Sequence, residues 1–284
     1  MPVLSLITLA SPGAIALQFG PIALPNGAHL GPIVIRYYGV MIAIGFLIAT
    51  WFATNLAKKR DIDADKLLNG ALLSFIGGIV GARLYFVALS WPSFANHPEE
   101  ILATWLGGLS IHGGIIGAVI TGWIYCKISK LDFLPALDVC ACVVPLAQAV
   151  GRWGNFFNSE AFGKPVPDDY PLRLFIPPNS RPAGYENSSY FHATFLYESI
   201  WDLGIFLLLY FFLSERLRKW PGMTFLAYLL LYSIGRFLIE PLRLDSIMVS
   251  GMAAPEVVSG AIIVGSALAM IALWLKHRPS KGTE

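Results

Sequence analysis

Three arginines stand in stretches of the chain that are otherwise apolar: Arg83, Arg152 and Arg236. A guanidinium stays charged at any depth and presents a planar fork of donors that matches phosphate oxygens. Arg152 lies in GRWGNFFNSEAFG, where Arg152, Asn155, Ser159 and Glu160 fall on related faces of a helix end, and Gly151 and Gly154 permit close backbone approach. Arg236 and Glu240 are four residues apart and can pair along one helix face. For Arg236, and for Arg83 as well, a packing role therefore stands beside a ligand role. His112 sits in GGLSIHGGIIG, between Gly107, Gly108 and Gly113, Gly114 and Gly117. An imidazole, with an ordinary pKa of about 6.5, can take a proton from a nucleophile near neutral pH. The ligand these types suit is an anionic phospholipid or a polyprenyl phosphate.

The elements that position them are membrane spans. Of the 284 residues, 56% are hydrophobic and 13% charged, against about 25% charged in a soluble domain, and the mean hydropathy is +0.63. A crossing helix needs about 20 mostly apolar residues. Seven such runs occur, near 37–57, 67–89, 107–126, 134–157, 193–213, 222–240 and 255–275. The expected fold is an all-α integral membrane protein, a single polytopic domain over 1–284. Residues 1–36, broken by Pro12, Gly13, Pro21, Pro25 and Gly27 and lacking the basic start of a signal peptide, are expected to form a surface arm.

Orientation follows from the Lys and Arg residues, which concentrate in short cytoplasmic loops. Twelve fall on one side: Lys58, Lys59, Arg60, Lys66, Lys127, Lys130, Arg216, Arg218, Lys219, Lys276, Arg278 and Lys281. Only Arg36, Lys164, Arg173, Arg181 and Arg243 fall on the other, which holds the longest connection. The N-terminus is then outside and the C-terminus cytoplasmic. Arg83, Arg152 and Arg236 each occupy the last third of an outward-running span, and Tyr37, Tyr38, His112, Tyr197 and Glu198 open the inward-running ones. Together with Glu240 they define one polar layer toward the outer leaflet, where an intramembrane charge is costly and usually functional. The proline-rich segment 158–192 is expected to form an extracytoplasmic cap admitting a second, external substrate.

Other chemistries fit less well. The net charge of +2 and scattered basic clusters exclude a nucleic-acid surface. Cys126, Cys140 and Cys142 have no second pair or nearby His to complete a metal site, and read as packing residues. Ser110 and His112, two apart on a helix, point in different directions and do not make a serine nucleophile with its base. Asp138 and Asp202 are placed nearer the middle of the membrane and given no chemistry.

Five motifs in order make the chain resemble the bacterial prolipoprotein diacylglyceryl transferases: YYG at 37–39, GGLSIHGG at 107–114, GRWGNFFNSEAFG at 151–163, HATFLYE at 192–198 and YSIGRFLIEPLR at 232–243. The resemblance implies a multi-pass enzyme of the bacterial cell (inner) membrane, active toward the extracytoplasmic side and needing no metal or organic cofactor. It would move the diacylglyceryl group of phosphatidylglycerol onto the lipobox cysteine of a prolipoprotein signal peptide, forming a thioether and releasing glycerol phosphate. It further implies that Arg152 and Arg236 bind the phospholipid headgroup and its leaving phosphate, that Tyr38, Asn155, Glu160, Gly163, Glu198 and Glu240 line or shape the site, and that His112 is the proposed base. Two positions depart from the pattern. Ala193 stands where the family usually has proline after His192, and Leu106 where a polar or acidic residue is expected. A phospholipid or polyprenyl-phosphate transporter is the alternative the arginines also suit, although such transporters often show repeats and broken helices near the midplane.

Overall fold

The computed structural model describes residues 7–9, 15–19, 27–30, 33–104, 107–244, 248–249 and 252–277. Seven helices are long and apolar enough to cross a membrane: α1 (Tyr37–Lys59), α2 (Ala64–Leu89), α3 (Ile111–Ser129), α4 (Phe133–Asn158), α5 (Thr194–Leu217), α6 (Met223–Leu242) and α7 (Ala254–Lys276). They coincide with the seven runs expected from hydropathy to within a few residues at each end. The third starts four residues late because Gly107 and Gly108 take φ of +93° and +75°, a left-handed backbone no helix continues. Leu106 lies outside the described residues, as do Pro12, Gly13, Pro21, Pro25, Arg278 and Lys281.

Local signals set the helix ends. Asp63 caps α2, its Oδ1 accepting from the backbone N–H of Asp65 and Lys66 at 3.1 and 3.0 Å; such a cap contributes about 1 kcal/mol. Lys130, at φ +55°, closes α3 by returning its N–H to Cys126 O.

The chain forms two compact units, residues 50–140 and residues 1–49 with 141–284. In the first, α2 and α3 pack through glycine. A Cβ added at Gly81 would stand 2.8 Å from Gly117 Cα, and one at Gly113 or Gly117 would overlap the carbonyl of Gly81 or Gly77. This is close packing by small residues one turn apart, the arrangement by which helices associate where lipid removes the hydrophobic drive. Two of the glycines around His112 are thus accounted for by helix contact.

The second unit carries small strands outside its helices: β1 (Ile7–Leu9), β2 (Ile15–Phe19), β3 (Gly27–Leu30), β4 (Ile33–Arg36), β5 (Leu172–Phe175), β6 (Tyr190–His192), β7 (Met248–Val249) and β8 (Met252–Ala253). The N-terminal arm and the 158–192 segment share one sheet of order β1-β2-β5-β6, with β2 parallel to β5 (Leu17 opposite Leu172) and β5 antiparallel to β6 (Arg173 opposite His192). Phe162, Leu174, Ile176, Phe191, Ala193 and Phe195 form its buried core, against which Trp153 and Phe156 of α4 pack. Burial of each large apolar side chain is worth about 1.5–3 kcal/mol, which anchors this proline-rich segment against α4. Arg181 staples its turn, donating to Ile176 O, Glu186 O and Ser189 Oγ at 3.0, 2.8 and 3.3 Å. The entry to α5 needs no proline at 193: the buried Ala193 accepts at its carbonyl from Leu196 and Tyr197 N–H, and Thr194 Oγ1 donates to Ala161 O at 2.6 Å.

Candidate active site

Glu198, in the first turns of α5, is the centre of the largest charged cluster among the described residues. Its Oε1 accepts from Arg236 Nη1 at 2.9 Å and from Arg243 Nη1 at 2.8 Å, and its Oε2 lies 2.6 Å from Arg152 Nη2. Arg236 also donates through Nη2 to Glu240. Asp202, one turn along α5 from Glu198, places Oδ2 4.0 Å from Arg152 Nε. Three guanidiniums from α4, α6 and the turn after α6 thus converge on one carboxylate. The carboxylates are the buried members, with side-chain exposure of 3% for Glu198 and 1% for Glu240. Arg152 and Arg236 keep 21% and 17%. Glu198 and Glu240 tolerate this burial because each faces guanidinium; a single buried charge left alone would cost several kcal/mol.

Arg152 and Arg236 border a small cleft of about 10 Å³, whose walls include Glu198, Trp201, Asp202 and Tyr232. Among the described residues, Nη1 of Arg152 and Nε of Arg236 have no acceptor. Helix packing fixes these positions. Gly235 lets Trp201 lie against the α6 backbone, where a Cβ would overlap the indole, and Trp201 Nε1 donates to Leu231 O at 3.0 Å. Ser199 Oγ donates to Ala149 O at 2.8 Å, tying α5 to α4.

A second cluster stands one turn further along α4. The helix stops at Asn158, and Ser159 and Ala161 both take left-handed φ of +51° and +53°. Non-glycine residues rarely adopt that region, and it collects at functional sites. The turn carries Glu160 back along the helix, so that Asn155 and Asn158 Nδ2 both donate to its Oε1, at 3.0 and 3.2 Å. Gly154 receives the Tyr38 ring: a Cβ there would be 2.6 Å from Tyr38 Cδ2.

Gly163 is a join. It pairs with Arg243 as an isolated β-bridge, donates its N–H to His192 O at 3.0 Å, and would drive a Cβ to 2.6 Å from Leu242 O. Lys164 N–H adds a bond to Leu242 O at 2.7 Å. The 158–192 segment therefore holds the turn that presents Arg243 to Glu198. His192, outside the spans, is pushed below the ordinary histidine pKa by burial and then by the Lys164 charge.

The expected polar layer is distributed over both units. Arg152, Glu198, Arg236 and Glu240 meet directly, and Tyr38, Asn155, Glu160 and Gly163 belong to the same unit. His112 belongs to residues 50–140, near the start of α3, with an exposed imidazole 6.3 Å from the Tyr85 ring, centroid to centroid. Arg83, in that unit too, is committed elsewhere. Nε donates to Ile101 O, Nη1 to Gly107 O and Gly108 O, and Nη2 to Glu100 O and Ala103 O, at 2.6 to 3.4 Å. All five donors are used, and Phe86 and Phe94 flank the guanidinium.

The sequence that carries this site matches a known family. The family model for prolipoprotein diacylglyceryl transferase matches residues 25–272. The chain belongs to the prolipoprotein diacylglyceryl transferase family. Relatives named phosphatidylglycerol–prolipoprotein diacylglyceryl transferase include one from Fervidobacterium nodosum, 45% identical over 84% of this chain and 82% of the relative. Another, from Geobacillus kaustophilus, is 43% identical over 88% and 91%, and one from Gloeobacter violaceus is 39% identical over 96% of both chains. In this member of the family, two cluster residues escape a reading of the sequence. Arg243 counts there as a loop cation, and Asp202 as a carboxylate of no assigned chemistry. The signal for both is helical spacing: Glu198 and Asp202 are four apart, and Arg236, Glu240 and Arg243 follow at four and three.

Proposed function

We propose that this chain transfers the diacylglyceryl group of phosphatidylglycerol to the thiol of the lipobox cysteine of a prolipoprotein, in the first step of lipoprotein maturation. The observation that carries the reading is the convergence of Arg152, Arg236 and Arg243 on Glu198 beside a small cleft, on and just after helices apolar enough to span a membrane. Family membership supports it. The cysteine sulfur, as thiolate, attacks the glyceryl carbon that bears the phosphate. The carbon–oxygen bond breaks, its electron pair leaves on the phosphate oxygen, and glycerol phosphate departs. Charge grows on that phosphate, and guanidinium donors held in place in a low-dielectric site stabilise it far more than water would. Arg152 Nη1 and Arg236 Nε are the donors turned to this task, with Glu198 and Glu240 holding their forks in position.

A free cysteine, with a pKa of about 8.5, is mostly protonated at neutral pH, so the thiol proton needs an acceptor. We assign that role to His112, with Tyr38, Asn155, Glu160 and Gly163 shaping the site. His112→Asn should then lose transfer at neutral pH and recover partly at higher pH, where the thiol ionises unaided; a flat pH response contradicts the assignment. The distribution of Lys and Arg supports an N-terminus outside, a cytoplasmic C-terminus, and a 158–192 cap on the extracytoplasmic face of the bacterial inner membrane.

The test uses purified protein in detergent with labelled phosphatidylglycerol and a lipobox peptide, once with its cysteine and once with serine. Label on the cysteine peptide alone, with glycerol phosphate released, is the expected result. Tight lipid binding without transfer would favour a transporter instead.

A further inference from the structure

We infer that Asp202 receives a hydroxyl of the lipid's glycerol headgroup and so selects a neutral, hydroxylated headgroup over a cationic or an apolar one. This rests on the reading of the cleft as a phosphatidylglycerol site. Asp202 is 2% exposed and lines the cleft. Its Oδ2 is fully buried and has no hydrogen-bond partner among the described residues. The nearest cation, Arg152 Nε, is 4.0 Å away, beyond hydrogen-bond reach. Glu198 Oε2, buried and likewise without a well-aligned hydrogen bond, still has Arg152 Nη2 against it at 2.6 Å, whereas Asp202 Oδ2 has no cation closer than 4.0 Å. A buried carboxylate oxygen that faces a ligand cleft is an acceptor held for a ligand or solvent donor, since leaving it unmet costs free energy.

The surroundings define the donor. An ammonium would pair with Asp202 but would also stand within a few ångströms of the Arg152 charge, and that repulsion offsets much of the attraction where water is scarce. A hydroxyl brings no such repulsion and forms a short charge-assisted bond to a carboxylate. Geometry agrees. The nearest free hydroxyl of the ester-linked glycerol is five bonds from a phosphate oxygen held by Arg152, a reach of a few ångströms, enough to meet the carboxylate that lies beside Nε. Asp202 is thus a specificity residue, distinct in role from Glu198, whose two oxygens each face an arginine at 2.6 to 2.9 Å.

The experiment compares transfer to a lipobox peptide from phosphatidylglycerol, phosphatidylpropanol (the same phosphate, no headgroup hydroxyl) and phosphatidylethanolamine, for the wild type, Asp202→Asn and Asp202→Ala. The ratio of kcat/KM between two lipids within one variant is independent of the fraction of folded protein. Wild type should prefer phosphatidylglycerol to phosphatidylpropanol by about 10- to 100-fold, the range for hydrogen bonds to charged groups. Asp202→Ala should bring the ratio near one, and Asp202→Asn should fall between. A ratio that survives Asp202→Ala, or a wild-type ratio near one, overturns the inference. Equal loss with both lipids does so too, because it marks Asp202 as a support for Arg152. If the wild type transfers from none of the lipids, the proposed reaction fails. The same ratio measured as equilibrium binding of the three lipids then still decides the headgroup question, as it does if the variants bind but do not turn over.

Discussion

Arg83 and Arg152 are both arginines within membrane-crossing helices, yet their chemistry is opposite. Arg83 is almost fully buried and gives all five donors to backbone carbonyls of residues 100–108. It organises the glycine turn that precedes α3 and has nothing left for a ligand. Arg152 and Arg236 are held by carboxylates, keep about a fifth of their side chains exposed, and border a cleft. A neutral carbonyl shell turns an arginine into a structural pin. A carboxylate bracket orients it and leaves donors for a second anion.

That contrast can be broken by substitution. The largest effect is expected at the bracketed arginines: Arg152→Ala or Arg236→Ala should lower transfer by about 100- to 1000-fold with the protein still folded, as judged by its thermal transition in detergent. Arg152→Lys should be nearly as impaired, because a point charge cannot serve Glu198 and a phosphate from one planar fork. Arg83→Met should do the reverse, costing on the order of 3 kcal/mol of stability through its orphaned carbonyls, with the KM for phosphatidylglycerol unchanged per folded molecule. Gly163→Ala should cost about 1–3 kcal/mol and reduce kcat, since the added methyl pushes on Leu242 and moves the Arg243 turn. The smallest effect concerns His192. Its folded pKa lies below its unfolded value of about 6.5. The folded state thus resists a proton that the unfolded state accepts, and stability is complete above pH about 6.5 and declines as pH falls below it. His192→Gln should remove that slope from a series of thermal melts between pH 5 and about pH 8.

Much of this was legible in the sequence, for definable reasons. Span number and position follow from local hydropathy, and the late start of the third span, at Ile111, arises from glycine backbone geometry that hydropathy does not see. Arg152, Glu198, Arg236 and Glu240 stood out as charges in apolar runs. The pairing of β2 with β5 did not, because it joins residues some 155 positions apart (Leu17 with Leu172) and depends on tertiary context. Arg83 carried a packing reading beside a ligand one, and the carbonyls of residues 100, 101, 103, 107 and 108 decide for packing. Asp202 and Arg243 were passed over since their meaning lies in what faces them.

The central claim is that the bracketed arginines, and not the pinned one, hold the lipid phosphate. The most direct measurement is phosphorus NMR of phosphatidylglycerol titrated into wild type, the Arg152→Ala/Arg236→Ala double variant and Arg83→Met, all folded and without peptide, so that turnover plays no part. A shifted resonance for bound phosphate in wild type and Arg83→Met, lost in the double variant, is the predicted result. The same resonance surviving in the double variant, or vanishing in folded Arg83→Met, would contradict it.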